Sequence, residues 1–171
     1  SLSGQCSSED VLIVCNDGFK KMEVIDDGKA LKCECGVIGS DANDLLKPYN
    51  RKIGPDPATL ATALVGGILN NNSSGMCCGT AQNSYKTIRS IRVVLLDGSI
   101  LDTSDQKSID QFLKEKPQMV EDILQLRKDI LADEELTHLI HHKYKIKNTT
   151  GYGLNSLVDF EDIIDIINHL F

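Results

Sequence analysis

The middle of the chain carries the sequence Val65-Gly66-Gly67-Ile68-Leu69-Asn70-Asn71-Asn72-Ser73-Ser74-Gly75. Its glycines allow another molecule to approach the backbone within hydrogen-bonding distance. Its Asn and Ser side chains supply short neutral donors and acceptors that suit a pyrophosphate, which backbone amides can also bind without lysines. Asn, Ser and Gly are equally ordinary in surface turns, so the composition of this stretch alone leaves a binding segment and a plain loop both open.

Two common phosphate-binding patterns are absent from the sequence. No G-x-x-x-x-G-K-[ST] is present, which excludes a P-loop, and no G-x-G-x-x-G stands between a predicted strand and helix, which excludes the Rossmann fingerprint.

Hairpin signals flank the central stretch on both sides. Strands over 21–25 and 30–36 surround Asp26-Asp27-Gly28, and strands over 88–96 and 99–101 surround Asp97-Gly98. The apolar run Val11-Leu12-Ile13-Val14-Cys15 predicts a buried strand that ends in a turn at 16–18. Ser40 is predicted to cap a short helix over 41–46, which Pro48 ends.

Beyond Ser104 the apolar residues recur at helical spacing. Three apolar helical faces are predicted, formed by Ile109, Phe112 and Leu113, by Val120, Ile123, Leu124 and Leu126, and by Leu136, Leu139 and Ile140. Hairpins followed by helices indicate an α+β fold with mainly antiparallel sheet and flanking helices.

Composition restricts the classes of protein. The chain has 171 residues, a formal net charge of −7 and 41% hydrophobic residues. Scattered Lys and Arg residues disfavour a nucleic-acid partner, and no apolar run approaches the ~18 residues of a membrane span. These features predict an acidic, cytoplasmic protein, whose full-length form could associate peripherally with a membrane.

Six cysteines do not follow a metal-binding pattern. Cys33 and Cys35 alternate along a predicted strand, so we expect them to share a sheet face as small buried hydrophobes. Cys77 and Cys78 are adjacent, which disfavours an ordinary disulfide between them. A reducing compartment and no metal site are therefore expected. A non-enzymatic, cysteine-dependent metal, redox or binding module stays open as the alternative.

Several motifs resemble, in order, those of FAD-linked dehydrogenases of the vanillyl-alcohol oxidase fold, with its PCMH-type FAD-binding domain. They are Ser1-Leu2-Ser3-Gly4-Gln5, Gly54-Pro55-Asp56-Pro57-Ala58, Val65-Gly66-Gly67, Asn71-Asn72-Ser73-Ser74-Gly75-Met76-Cys77-Cys78-Gly79-Thr80, Asn83-Ser84-Tyr85 and Lys147-Asn148-Thr149-Thr150-Gly151-Tyr152-Gly153-Leu154-Asn155. The chain is most similar to the branch that resembles D-lactate dehydrogenase and oxidises D-2-hydroxy acids.

The resemblance implies a set of FAD contacts. Pro55 and Asp56 would line the flavin cleft, and Ser3 and Gly4 would complete a first pyrophosphate loop. The pyrophosphate and ribityl region would be wrapped by Gly66, Gly67, Asn71, Asn72, Ser74 and Gly75. On this resemblance we expect residues 1–171 to form a partial FAD-binding domain, truncated at both ends and without its cap (substrate) domain, so that the chain alone is inactive.

The same resemblance implies the chemistry of the full-length enzyme. A D-2-hydroxy acid such as D-lactate would become a 2-oxo acid, with electrons passing from FAD to an unknown acceptor. Lys147 and Thr150 would contact the substrate. No catalytic residue is expected in this chain, and His138, His141 and His142 are predicted to be solvated helix residues. A sugar-lactone oxidase or an alkyl-glycerone-phosphate synthase relative is the alternative within flavoenzymes.

Overall fold

The computed structural model describes residues 18–170, which divide into two compact units. The first unit comprises the described residues up to Thr87 together with Lys147–Gly151, and the second comprises Ile88–Ile146 and the chain from Tyr152 onward. The predicted strand over 11–15, the start of its turn, and the predicted FAD contacts Ser3 and Gly4 lie outside the described residues.

The first unit opens with the predicted hairpin. Strand β1 (Met22–Ile25) pairs antiparallel with β2 (Ala30–Cys33), with Met22 opposite Cys33 and Ile25 opposite Ala30. Asp27 and Gly28 both have positive φ in the connecting turn. The structure therefore confirms the first Asp-Gly hairpin, with strands slightly shorter than predicted.

Helix α1 runs over Gly39–Leu46 and begins earlier than predicted. Ser40 lies inside its first turn, so the prediction that Ser40 caps the helix is wrong. The amides of Gly39 and Ser40 instead donate to the carbonyls of Ala63 and Leu60, at 3.0 Å each. Because a neighbouring loop satisfies these amides, the helix needs no side-chain cap. It ends at Leu46, before Pro48, as predicted.

Two short helices complete the first unit, α2 (Val65–Asn70) and α3 (Ser84–Thr87). Its core is a cluster of Val37, Ala42 and Val65, against which β1, β2 and α2 place partly buried apolar side chains. Val65 opens the central glycine- and asparagine-rich stretch, so the core anchors that stretch at its start.

The second unit contains the second predicted hairpin and five helices. Strand β3 (Arg92–Val94) pairs antiparallel with β4 (Ile100–Asp102), with Val93 opposite Leu101. The helices that follow are α4 (Gln106–Glu115), α5 (Pro117–Ala132), α6 (Glu134–Lys143), α7 (Ser156–Asp159) and α8 (Ile163–Leu170). Asp105 and Asp133 cap α4 and α6 by accepting from backbone amides.

Two apolar clusters form the core of the second unit. One contains Leu101, Phe112 and Ile167, and the other contains Ile130, Ile140, Leu157 and Ile166. The predicted faces are confirmed at Phe112 and Ile140, while Ile109, Val120 and Ile123 pack partly buried against the clusters. Five leucines of these faces lie at the exposed edge of their helices: Leu113, Leu124, Leu126, Leu136 and Leu139.

The fold class agrees with the α+β prediction. Both described sheets are antiparallel, as expected, but each has only two strands, so helix rather than sheet makes up the larger share of residues 18–170. Among the described helices, none combines the length and the apolar character that crossing a membrane requires.

Candidate functional site

Three motifs that are far apart in sequence meet within the first unit. The Gly54–Pro57 segment contacts the loop after α2, where the Gly75 amide donates to Asp56 Oδ1 at 3.1 Å. The 147–151 segment contacts the same loop, because Asn72 Nδ2 donates to the Asn148 carbonyl at 3.4 Å. The structure thus brings the predicted cofactor motifs and the predicted substrate motif together.

The Asp56 carboxylate organises the turn over 75–78. Oδ1 accepts from the amides of Gly75 and Cys78 at 3.1 and 3.0 Å, and Oδ2 accepts from the amide of Cys77 at 3.1 Å. Hydrogen bonding from the side chain and amide of Cys78, and then from Cys77, holds the pKa of the Asp56 carboxyl well below its usual range. Asp56 is therefore an ionised anchor for this turn at neutral pH.

Gly75 makes this anchoring possible. A Cβ built on Gly75 would lie 1.9 Å from the Asp56 carbonyl oxygen, a distance that no side chain tolerates. Gly66 shows the same feature, since its Cβ would lie 2.7 Å from the Cβ of Cys35. At both positions the glycine admits the protein's own chain, whereas the sequence suggested the approach of another molecule.

Asn72 fixes the other end of the loop. It adopts a left-handed backbone conformation with φ of 45°, and its Oδ1 accepts from the Tyr85 amide at 3.1 Å. Its Nδ2 is the donor to Asn148. Asn72 thus connects α2, α3 and the 147–151 segment, so its side-chain amide is engaged within the protein.

Asn71 and Ser74 differ from these anchoring residues. Each is only 6% exposed, yet neither side chain forms a hydrogen bond within the described part of the chain. Their polar atoms are not sealed off, in contrast to Asn155 Oδ1 and Ser156 Oγ, which are fully enclosed without a partner. Asn71 and Ser74 can therefore hydrogen-bond a molecule that reaches the loop.

The remaining predicted contacts fall around this loop. Pro55 is buried beside Asp56, and Gly67 is half-buried within α2. Lys147 and Thr150 are exposed, and the Thr150 hydroxyl donates to Asn148 Oδ1 at 2.8 Å. Sequence reasoning missed Asn148 as a connecting residue, although an Asn two residues before a Thr is a recognisable turn pattern.

Most loop amides are already used within the protein. Bonds to carbonyl or side-chain acceptors of the chain itself engage the amides of Gly66, Asn71, Asn72, Ser73, Gly75, Cys77 and Cys78. The expectation that backbone amides could carry ligand binding here is therefore wrong for these seven groups. Side chains, above all Asn71 and Ser74, are the better candidates.

The described histidines and cysteines form no cluster of metal ligands. His138, His141 and His142 are exposed on α6, which confirms them as solvated helix residues. Over residues 18–170 no three His, Cys, Asp or Glu side chains converge as metal ligands. Cys78 is buried and Cys77 is exposed, while Cys33 is half-buried. Cys35 is exposed, so the prediction that it is buried is wrong.

Comparison with known proteins identifies the family. Residues 1–104 match the FAD binding domain family. D-2-hydroxyglutarate dehydrogenase of Haemophilus influenzae is 31% identical over 80 residues, 47% of this chain and 8% of that protein. The protein of the same name from Escherichia coli is 34% identical over 73 residues, which are 43% of this chain and 7% of that protein. The one from Pantoea ananatis is 26% identical over 102 residues, which are 59% of this chain and 10% of that protein. No solved structure matches significantly.

The chain therefore belongs to the FAD binding domain family, and FAD is its cofactor. It spans no more than a tenth of the length of these relatives. The residues present fit the cofactor, since Asn71 and Ser74 offer buried but unengaged polar groups on a loop that Asp56 and Asn72 hold in place.

Proposed function

We propose that the protein containing this chain is a flavin-dependent dehydrogenase that oxidises a D-2-hydroxy acid to the 2-oxo acid, and that this chain forms part of its FAD site. The family match supports the cofactor, and relatives named D-2-hydroxyglutarate dehydrogenase support the substrate class. The structural observation that carries the proposal is the pair Asn71 and Ser74, whose side chains are buried and form no hydrogen bond within the described part of the chain.

The first unit would divide the work of cofactor binding between two groups of residues. Asn71 and Ser74 would hydrogen-bond the cofactor, and Pro55 and Gly67 would shape the cleft around it. Asp56, Asn72, Gly66 and Gly75 would hold the loop in its binding conformation. Ser3 and Gly4 are proposed as further cofactor contacts. When bound, FAD supplies the hydride acceptor for the hydroxyl-bearing carbon.

Lys147 and Thr150 are the proposed substrate contacts. Both belong to the 147–151 segment, in which the Asn148 carbonyl accepts from Asn72. Gly151 of the same segment lies so close to Asn70 that a Cβ on it would be 2.7 Å from the Asn70 carbonyl oxygen. A Lys ammonium beside the cofactor would orient a substrate carboxylate. The groups that remove the hydroxyl proton would belong to a cap domain outside this chain.

The identity of the acid is the finer part of the proposal. D-lactate has one carboxylate, whereas D-2-hydroxyglutarate, in the names of the relatives, has two. We propose the dicarboxylate as the first substrate to test, followed by D-lactate. Reduction of a dye by the intact enzyme with each D-acid and its L-enantiomer measures this preference. Activity with sugar lactones alone would overturn the substrate class.

The cofactor site is tested by FAD titration of the intact protein. Asn71→Ala and Ser74→Ala should each raise the Kd about fivefold, because each removes one hydrogen bond of ~1 kcal/mol. Asn70→Ala and Ser73→Ala are the matched neighbours and should leave the Kd unchanged. Equal affinity in all four variants would contradict the assignment of Asn71 and Ser74. Failure of the folded intact protein to bind FAD would contradict the whole proposal.

A further inference from the structure

Cys33 and Cys35 lie two residues apart where the first hairpin ends. Cys33 ends strand β2 opposite Met22. The pairing continues past it, since the Glu34 amide donates to the Lys21 carbonyl at 3.0 Å and the Gly36 amide donates to the Phe19 carbonyl at 2.9 Å. Cys35 itself lies in the turn over 34–37, which the Val37 amide closes by donating to the Glu34 carbonyl at 3.2 Å, so the prediction that Cys33 and Cys35 share a strand face is wrong.

The two thiols differ in accessibility. Cys33 is half-buried and packs against the core cluster of the first unit, whereas Cys35 is exposed. Burial, and secondarily the nearby Cys35, raises the pKa of the Cys33 thiol. An oxidant in solution therefore meets Cys35 first, and Cys33 is the second, less accessible thiol two residues away.

Cys35 also touches the proposed cofactor helix. Its carbonyl accepts from the Gly66 amide at 3.0 Å, and the Val65 amide donates to the Val37 carbonyl at 2.7 Å. The close approach of Cys35 leaves no room for a Cβ on Gly66. A movement of the backbone at Cys35 would therefore be transmitted directly to the start of α2.

We propose that Cys33 and Cys35 form a redox-active pair, in which oxidation by a small-molecule disulfide links the two sulfurs and weakens FAD binding at the adjoining helix α2. The Cys35 thiolate attacks the small disulfide and expels one thiolate, giving a mixed disulfide. The Cys33 thiolate then attacks the Cys35 sulfur and expels the second thiolate. The protein loses two protons and two electrons, and the small disulfide is reduced to two thiols.

Closing this disulfide requires a change in the backbone. A disulfide needs Cα atoms roughly 5.5–6 Å apart and a specific orientation of the two Cβ atoms, whereas Cys33 ends a strand and Cys35 lies in the turn that follows. The turn at Cys35 must therefore adjust, and Cys35 is the residue whose carbonyl accepts from the Gly66 amide. Coupling between two sites is reciprocal, so bound FAD should in turn oppose formation of the disulfide.

The effect on FAD rests on the proposed function of α2, whereas formation of the disulfide does not. The intact protein is equilibrated in glutathione buffers of rising disulfide content, quenched, alkylated and digested with trypsin. Peptide 33–51 contains both thiols and no other cysteine, because Pro48 protects the bond after Lys47. We expect this peptide to lose two hydrogens as an internal disulfide, and Cys33→Ser to retain a glutathionyl group on Cys35.

Affinity for FAD is measured on the same samples. Oxidation should raise the Kd about tenfold, within the usual range of coupling energies, and excess FAD should shift the midpoint of oxidation toward more oxidising buffers. Cys35→Ser should abolish both effects, while Cys77→Ser, which removes another exposed thiol of the first unit, should leave formation of the disulfide in peptide 33–51 intact.

Three results are decisive and distinguishable. A peptide 33–51 that stays a dithiol in buffers that modify Cys77 would overturn the redox pair. A disulfide that forms without changing the Kd would overturn its coupling to the cofactor. If the reduced, folded protein binds no FAD at all while the disulfide forms, the proposed function fails and the redox pair stands.

Discussion

The two units of this protein are stabilised by different kinds of interaction. The second unit has two apolar clusters, with Leu101, Leu157 and Ile166 completely buried. The first unit has one small cluster and a long loop held by the Asp56 carboxylate, the Asn72 amide and glycines at close backbone contacts. The first unit therefore depends on polar geometry, which suits a binding loop, and the second depends on apolar burial.

The largest expected effect is in the second unit. Leu157→Ala removes a fully buried side chain from a cluster with Ile130, Ile140 and Ile166, and should lower the free energy of unfolding by about 2–5 kcal/mol. Chemical denaturation measures it. Leu139→Ala, at an exposed leucine on α6, is the matched control and should cost far less. Similar losses in both variants would show that burial does not separate these positions.

Gly75→Ala should be the most damaging single change in the loop of the first unit. The added Cβ would meet the Asp56 carbonyl, so the turn must open at a cost of about 1–3 kcal/mol, typical of overpacking. Hydrogen exchange should increase at Cys77 and Cys78, whose amides donate to Asp56. Gly79→Ala is not a suitable control, because Gly79 has positive φ.

Ser73→Ala provides that control, since it adds no atoms to the same loop. Loss of protection confined to the amides of Cys77 and Cys78 would support an anchoring role for the Asp56 contact. If hydrogen exchange at these amides is the same in Gly75→Ala as in wild type, the loop relaxes and keeps the contact with Asp56. That result would contradict the view that polar contacts stabilise the first unit.

The sequence predicted the local features of both units. Each hairpin was found because Asp26-Asp27-Gly28 and Asp97-Gly98 specify their turns within a few residues. The helices were found from apolar spacing, but the spacing could not tell Ile123 from Leu124, because the orientation of α5 depends on partners elsewhere in the unit. Intrinsic helix propensity does not determine which face of a helix is covered by other elements.

The candidate site was predictable in its residues but not in their roles. The Asp56 contact spans 19 residues to Gly75, and Asn72 reaches Asn148 across 76 residues. No local sequence pattern shows that a glycine is required because a distant segment of the same chain packs against its Cα. The resemblance to a family of FAD-binding proteins supplied the cofactor, which the family match confirms.

Asp56→Asn should have a smaller, pH-dependent effect. The low pKa of Asp56 in the folded state means that its carboxylate stabilises the protein above the unfolded pKa of about 3.9, and that this stability is lost as the pH falls toward the folded value. The Tm difference between wild type and variant should therefore be largest at pH 7 and shrink below pH 4. Asp44→Asn, at an exposed residue, is the control.

A Tm difference that stayed constant from pH 7 to pH 3 would show that Asp56 acts through shape rather than charge. The amides of Gly75, Cys77 and Cys78 should lose protection from hydrogen exchange over the same pH range, because all three donate to Asp56 from one turn. A fall in FAD affinity that parallels the Tm difference would connect this anchor to the binding conformation of Ser74.

The smallest effect is expected at the exposed ion pair of the second unit. Lys116 Nζ contacts Asp97 Oδ2, and this bond, followed by those from Ser99, holds the pKa of the Asp97 carboxyl below its usual range. Because Asp97 is solvent-exposed, water and salt screen the attraction. Lys116→Gln should change Tm very little, and this small difference from wild type should not depend on the salt concentration. A clear loss of Tm that disappears in high salt would mean that charge, as well as apolar burial, stabilises the second unit.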